Sequence, residues 1–327
     1  MVTVAVVGAG GMGRTHLNNL KDMEQFRVAA ICDPNPAVAE LAETFQAKYY
    51  TELDRMLNET AADVVMVFTP TFLHASQIEM VLRSGRHCIS EKPLCLSARK
   101  AAELFALAKQ MGVHLYVAQV LHFTKEYEML TDMVQSKEYG EVLDAFFYRL
   151  TERPKWLTGN WLFDADKSGL IPYDLHIHEL EFIVSLFGKP CIATRQVTAS
   201  EQTQGDHYRF LYTYPDKTVC TEASWYHAPI PFTHGYRIYF EHAVAVFSEG
   251  SLVLYKDGES GGTTLMKEET GTGTEINVSS SLPYKLEIEH FLDCVARGVE
   301  SNIVLNENVL AVLETLETMD LKKTESV

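Results

Sequence analysis

The chain lacks any apolar run approaching the roughly 20 residues of a membrane span, so no membrane role is expected. It is also short of positive charge. Its 28 Lys and Arg face 44 Asp and Glu, a net of −16. So acidic a chain is a poor binder of bare nucleic acid or of an anionic membrane, and neither is expected as a partner. None of its six cysteines forms a C-x-x-C pair, and most stand in apolar context. Reduced thiols in a cytoplasmic protein are the expectation. The N-terminus has no basic start and no small-residue cleavage site, so no secretory signal is expected. With only 11 Pro and 19 Gly, collagen and low-complexity classes are excluded. What remains is 327 residues, 46% hydrophobic, enough for two domains of ordinary size.

Short apolar runs stand at Val2–Val7, Arg27–Cys32, Asp63–Phe68, His87–Ser90 and His114–Val117. Helical patterns lie between them, at Asn35–Phe45, Thr71–Ser84 and Ser97–Met111. Near-continuous apolar strands alternating with helices imply a parallel sheet covered on both faces. A doubly wound α/β Rossmann domain is therefore expected over 1–121. Over 122–327 the texture changes to an α+β domain. A helix at Lys125–Ser136 leads to strand-like runs at Glu141–Leu150, Cys191–Ser200, Tyr208–Tyr214, Thr218–Tyr226, Tyr236–Phe247 and Ser251–Tyr255. These read as one large open antiparallel sheet with helices on one face. Helices near Tyr284–Arg297 and Asn306–Leu321 close it, and Gly258–Gly273 reads as a surface loop with a short strand at Thr264–Lys267.

Gly8, Gly10 and Gly13, with Ala9, Gly11 and Met12 between them, make a G-x-G-x-x-G turn from the first strand into a helix. Such a turn lets backbone approach a pyrophosphate and aims helix N–H groups at it. Asp33 ends the second apolar run, 20 residues past Gly13, where a ribose-binding carboxylate belongs. It also reads as a helix N-cap before Pro34–Ala39. A carboxylate there repels a 2′-phosphate, and no Arg follows in Asp33-Pro34-Asn35-Pro36, so NAD(H) is favoured over NADP(H).

Glu91-Lys92-Pro93 closes the fourth of these runs, His87–Ser90, at the strand end where open α/β sheets bind ligands. By spacing alone it reads equally as an ordinary turn with a solvated lysine. Farther on, Tyr173–Phe187 reads as one helix ending at Gly188. At about 100° per residue, Asp174, His178, Glu181 and Ser185 share one stripe on an otherwise apolar helix. The stripe either lines a cleft or meets solvent. His176 lies on the opposite side and reads as a hydrogen-bonded core or cofactor-side residue. No third ligand accompanies His178 and Glu181, so no metal is expected. Tyr148, Trp156, Trp161 and Phe163 read as packing or as sugar-stacking aromatics. His227 and His234, beside Pro229 and Pro231, read as exposed loop histidines or as residues that reach the cleft from a loop.

These motifs together resemble the glucose–fructose oxidoreductase / inositol dehydrogenase / MocA (Gfo/Idh/MocA) family. The resemblance rests on Val4–Gly13 with Arg14-Thr15-His16, on Thr69-Pro70 with His74, and on Glu91-Lys92-Pro93. Gly169 to Glu181 and the Tyr284–Gly298 helix with Glu287, Phe291 and Cys294 extend it. It implies an NAD(P)-dependent oxidoreductase acting on a CH–OH group of a sugar, polyol, inositol or related compound. It implies Lys92 at the catalytic centre with Asp174 and His178, and Thr69, Pro70, His74 and Glu91 near the cofactor. His122 stands where many members carry an arginine and is expected to meet substrate. Ser168-Gly169-Leu170 replaces a more glycine-rich run, and Glu179 follows His178 where Asp is frequent. The resemblance also implies a homodimer or homotetramer. A face of the second sheet carrying Phe210, Tyr212, Trp225, Tyr239 and Phe247 is expected to form it. For chemistry, His178 is the expected base, Asp174 orients it or the substrate, and Lys92 donates to the reacting oxygen. The alternatives are a redox-neutral enzyme that retains NAD, acting by hydrolysis or elimination on a sugar, and a non-catalytic dinucleotide sensor.

Overall fold

The computed structural model describes residues 1–155, 159–198, 205–268 and 281–321. Trp156, Ser200 at the end of one expected strand, and 269–273 of the expected surface loop lie outside these. Two compact units form. The first combines Met1–Val120 with Ser281–Leu310, and the remainder makes the second.

The first unit runs β1 (Val2–Val7), α1 (Gly11–Leu20), β2 (Phe26–Cys32), α2 (Val38–Thr44), β3 (Lys48–Tyr50) and α3 (Leu53–Glu59). It continues through β4 (Val64–Val67), α4 (Thr71–Arg83), β5 (His87–Ser90), α5 (Ala98–Met111) and β6 (Leu115–Val117). The strands form one parallel sheet in the order β3-β2-β1-β4-β5-β6. All of Val4–Val7 and Val64–Val67 are buried, as helices on both faces require. The order reverses between β1 and β4, and ligands bind beyond the strand ends at such a switch point. The β3 and α3 segments are too short and too polar to announce themselves in the sequence.

The second unit runs α6 (Lys125–Ser136), β7 (Val142–Glu152), α7 (Ala165–Ser168), α8 (Leu170–Asp174) and α9 (Ile177–Phe187). Then come β8 (Ile192–Thr198), β9 (His207–Thr213), β10 (Thr218–Tyr226), β11 (Thr233–Phe240), β12 (Ala243–Ser248), β13 (Ser251–Lys256) and β14 (Thr263–Lys267). The sheet order is β14-β13-β12-β11-β7-β10-β9-β8. It is not purely antiparallel, because β7 and β10 run parallel at its centre. The helices and the β8–β9 hairpin between them form the long crossover that a parallel pair needs. Helices α8 and α9 pack on this sheet.

Two expectations are corrected by packing. The C-terminal helix α10 (Leu282–Arg297) belongs with the first unit, not with the second. Its buried residues include Tyr284, Ile288, Phe291 and Leu292, and it packs on α1 and β1. The unit boundary falls within α11 (Asn306–Leu321). The expected interface residues Phe210, Tyr212, Trp225 and Phe247 are at most 2% exposed. They lie on the sheet face that the unit covers itself, and only Tyr239 points the other way, at 49% exposed.

Candidate cofactor and active-site residues

In the first unit the glycine turn is built for close approach. Gly8 has φ +89°, and a Cβ there would meet the Phe68 carbonyl at 2.8 Å. A Cβ on Gly13 would run into the Gly8 carbonyl oxygen. Gly10, by contrast, faces open space and caps α1 without any side-chain hydrogen bond. The first N–H groups of α1 are therefore not taken by a capping side chain, and the residues fit a dinucleotide pyrophosphate. Asp33 Oδ2 accepts the Ala9 N–H at 2.8 Å and Oδ1 the Asn35 N–H at 2.9 Å. The carboxylate is thus fastened beside the glycine turn, with lone pairs to spare for ribose hydroxyls. It is not the cap of α2, which starts at Val38.

Glu91 is 8% exposed and joins two motifs. Its Oε1 pairs with His16 Nε2 of α1 at 3.0 Å, and its Oε2 accepts the Lys92 N–H at 3.1 Å. Burial raises the Glu91 carboxyl, but the His16 hydrogen bond and the nearby His16, Lys92 and His74 charges outweigh it and hold it low. His16 is fully buried and stacks on Phe68 at 4.4 Å. His74, 1% exposed, faces the Thr69 carbonyl at 2.7 Å and the Pro93 carbonyl at 2.8 Å. The ring bridges the two strand-end turns, and burial pushes its pKa down against the pull of those carbonyls and of Glu91. Thr69 Oγ1 donates to Gln77 Oε1 at 2.5 Å, and Pro70 precedes α4. Lys92 is half-buried.

In the second unit Asp174 ends α8 and His178 lies in the first turn of α9, 3% exposed. The expected continuous helix is broken between them. The His176 N–H bonds to the Ile171 carbonyl at 2.9 Å, five residues back, which inserts an extra residue. The 100° count fails across that turn, so the shared stripe holds only for His178, Glu181 and Ser185 on α9. His122 pairs with Glu181, Nε2 to Oε2, at 2.7 Å. Burial lowers the His122 pKa, but the Glu181 carboxylate more than reverses this and raises it. His176 is a core residue: it hydrogen-bonds Tyr212 Oη at 2.7 Å and stacks on Phe210 at 3.9 Å. Burial, then Arg149, brings its pKa down to about 3. His234 is not an exposed loop residue but 9% exposed on β11, its pKa likewise lowered to about 3.

The pairs that sequence reasoning missed are Arg149–Glu179 and His122–Glu181. Arg149 Nε donates to Glu179 Oε1 at 2.7 Å, with both side chains at most 1% exposed. Among the described residues no group of His, Cys, Asp and Glu has a metal-binding arrangement. No described helix is long and apolar enough to cross a membrane.

The His122–Glu181 pair sets a test. A raised folded-state pKa adds stability that is full below the unfolded value, about 6.5, and is lost as pH rises through the folded value. NMR titration should show the His122 ring charging at higher pH than a free imidazole. In Glu181→Gln only burial remains, and the midpoint should fall below the free value. An unchanged midpoint in that variant would show that Glu181 is not the cause.

A parallel six-stranded sheet, a glycine turn at its switch point and a strand-end carboxylate define an NAD-binding Rossmann protein. Residues 2–119 match the model of the oxidoreductase family with NAD-binding Rossmann fold, and 127–246 match the Gfo/Idh/MocA C-terminal domain. The chain belongs to the Gfo/Idh/MocA family. An uncharacterized oxidoreductase of Streptococcus pneumoniae is 26% identical over 64% of this chain and 56% of its own length. The glucose-6-phosphate 3-dehydrogenase of Bacillus subtilis is 26% identical over 62% of this chain and 58% of its own. The chain thus spans about half the length of the curated relatives it matches. An Agrobacterium radiobacter oxidoreductase, solved with NAD+, L-tartaric acid and magnesium, shares the fold at a TM-score of 0.86. That match has 18% identity and covers 99% of this chain and 96% of the other.

Proposed function

We propose that this protein is an NAD-dependent oxidoreductase that moves a hydride between nicotinamide and a secondary carbinol carbon of a sugar, polyol, inositol or related compound. The observation that carries the reading is the Asp33 carboxylate held by the Ala9 N–H beside the glycine turn. Family membership and the dehydrogenase activity of the Bacillus relative support it. A bound nicotinamide supplies the hydride acceptor in oxidation and the donor in reduction. The chain's own task is to place the substrate and move its proton. His178 takes the hydroxyl proton as the base, imidazole being suited to that task near neutral pH. Asp174 orients the imidazole or the substrate. Lys92 donates to the reacting oxygen, stabilising alkoxide in oxidation and polarising the carbonyl in reduction. Glu91 and His74 act through others: Glu91 fixes the Lys92 backbone, and His74 fixes Thr69 and Pro93. His122, held by Glu181, presents its ring to substrate.

Asp33 makes the cofactor choice testable. Wild type should bind NAD(H) in preference to NADP(H), because the carboxylate accepts from ribose hydroxyls and repels a 2′-phosphate. Asp33→Ala should erode that preference chiefly by weakening NAD binding, measured by fluorescence titration with each reduced cofactor. Equal wild-type affinity for the two would contradict the assignment.

The same reading includes a homodimer or homotetramer. The register puts Phe146, Leu211, Tyr239, Val246, Val253 and Tyr255 on the less covered face of the second sheet. Arg209, Arg237, Asp144 and Glu222 share it. Both signs of charge on one apolar face suit an isologous contact with a second copy. Sedimentation at micromolar concentration should give at least twice the 36.8 kDa chain mass, and Tyr239→Glu should lower it. A clean wild-type monomer would overturn the assembly.

A further inference from the structure

The second unit holds a pocket of about 690 Å³ lined by Arg153, Asn160, Trp161, Phe163, Asp164 and Lys167. Arg153 is fastened in it from two sides. Its guanidinium lies 3.8 Å from the Phe163 ring centroid, and Nη1 donates to Asp206 Oδ1 at 3.0 Å. Phe163 stands edge-on to Trp225 at 5.7 Å, and Trp225 is 2% exposed. Asp206 is itself anchored. Its carbonyl accepts from Ser224 Oγ at 2.6 Å and from the Trp225 N–H at 2.9 Å. Its Oδ2 pairs with His227 Nε2 at 3.0 Å. The guanidinium is therefore fixed by one face and one nitrogen, while it still lines the pocket.

The lining's carboxylate is already engaged. Asp164 Oδ1 accepts the Asp166 N–H at 3.1 Å, and Oδ2 pairs with Lys167 at 3.0 Å. The pocket is also lined by the rest of the guanidinium fork, by the Asn160 amide and by the Trp161 ring. A donor-rich wall beside an aromatic ring calls for a ligand with acceptor oxygens and a face that packs. A pre-organised guanidinium matches carboxylate and phosphate with two parallel N–H bonds. In a chain of net charge −16, a fixed guanidinium supplies an anionic ligand with compensating charge.

We infer that this pocket binds an oxyanion-bearing carbohydrate, its carboxylate or phosphate on Arg153 and its ring against Trp161. The inference names a substrate class, and for turnover it rests on the oxidoreductase reading. Binding tests it independently. Full-length protein is titrated by calorimetry, with and without NAD, against D-glucuronate, D-gluconate, D-glucose 6-phosphate, neutral D-glucose and inorganic phosphate. At least one anionic sugar should bind on the order of tenfold or more tighter than D-glucose. The acid and phosphate arms tell which oxyanion is favoured. Arg153→Met should remove that advantage, and Arg153→Lys, lacking the fork, should restore little of it. NAD binding should survive in both variants, which shows that they are folded. Equal binding of D-glucose, no binding of any anionic sugar, inorganic phosphate binding as tightly as the sugars, or intact anion affinity in Arg153→Met would each overturn the inference. Binding without NADH formation would leave the pocket standing and count against the oxidoreductase reading instead.

Discussion

Replacing His178 with Asn is expected to lower kcat by about 10²–10⁴-fold, the usual contribution of a positioned general base. The imidazole is buried at the start of α9, and the proposed chemistry needs a group that takes a proton near neutral pH. Lys92→Met should slow the chemical step comparably, because the reacting oxygen then loses the donor proposed for it. Neither change should greatly alter NAD affinity, since the cofactor contacts proposed for Gly8–Gly13 and Asp33 remain. The double variant should cost less than the product of the two, as groups acting as a unit do. The pH profile of kcat/KM should lose its acidic limb in the histidine variant. Near-normal turnover of His178→Asn on the true substrate would remove the base assignment.

The second large effect is on stability. Glu179→Ala should destabilise the protein by about 3–5 kcal/mol, because it removes the carboxylate hydrogen-bonded to the buried Arg149 guanidinium. Arg149 is fully buried, and its guanidinium lies 5.3 Å from the Phe232 ring. Burial pushes the Glu179 carboxyl up, and Arg149 draws it back only in part, so desolvation is the larger force at this pair. For that reason Arg149→Met with Glu179→Leu should cost far less than Glu179→Ala alone. Urea unfolding midpoints of the three variants measure this. A Glu179→Ala cost under about 1 kcal/mol, the range of exposed pairs, would contradict the buried-pair account.

The first unit was legible because its physics is local. A strand buried on both faces must be continuously apolar, and Val2–Val7 and His87–Ser90 appear in the structure with the bounds read from the sequence. The glycine turn was legible for the same reason: steric exclusion at Gly8 and Gly13 admits no other residue type comfortably. The unit to which α10 belongs was not legible, because its apolar stripe says that it packs but not on what. The break between α8 and α9 was hidden too. Its cause is one backbone hydrogen bond to Ile171, and both flanking segments keep helical composition. Arg149 did leave a signal. It alternates in phase with Ala145 and Phe147 on β7, so a period of two already demands a buried partner for it. That partner, Glu179, lies 30 residues away on α9, which no local pattern reveals. The sheet face was misassigned for a related reason. Alternation separates two faces but does not say which of them the helices cover.

The measurement that tests the central claim most directly is a screen of polyols, inositols, aldoses and sugar acids with NAD, following NADH absorbance and product mass together. The account predicts that at least one compound gives NADH and a product lighter by two hydrogens, in equal amounts, with both formed about 10²–10⁴-fold more slowly in Lys92→Met. A compound converted without net NADH would establish redox-neutral chemistry instead. NAD binding with no compound changed would contradict the enzyme assignment itself.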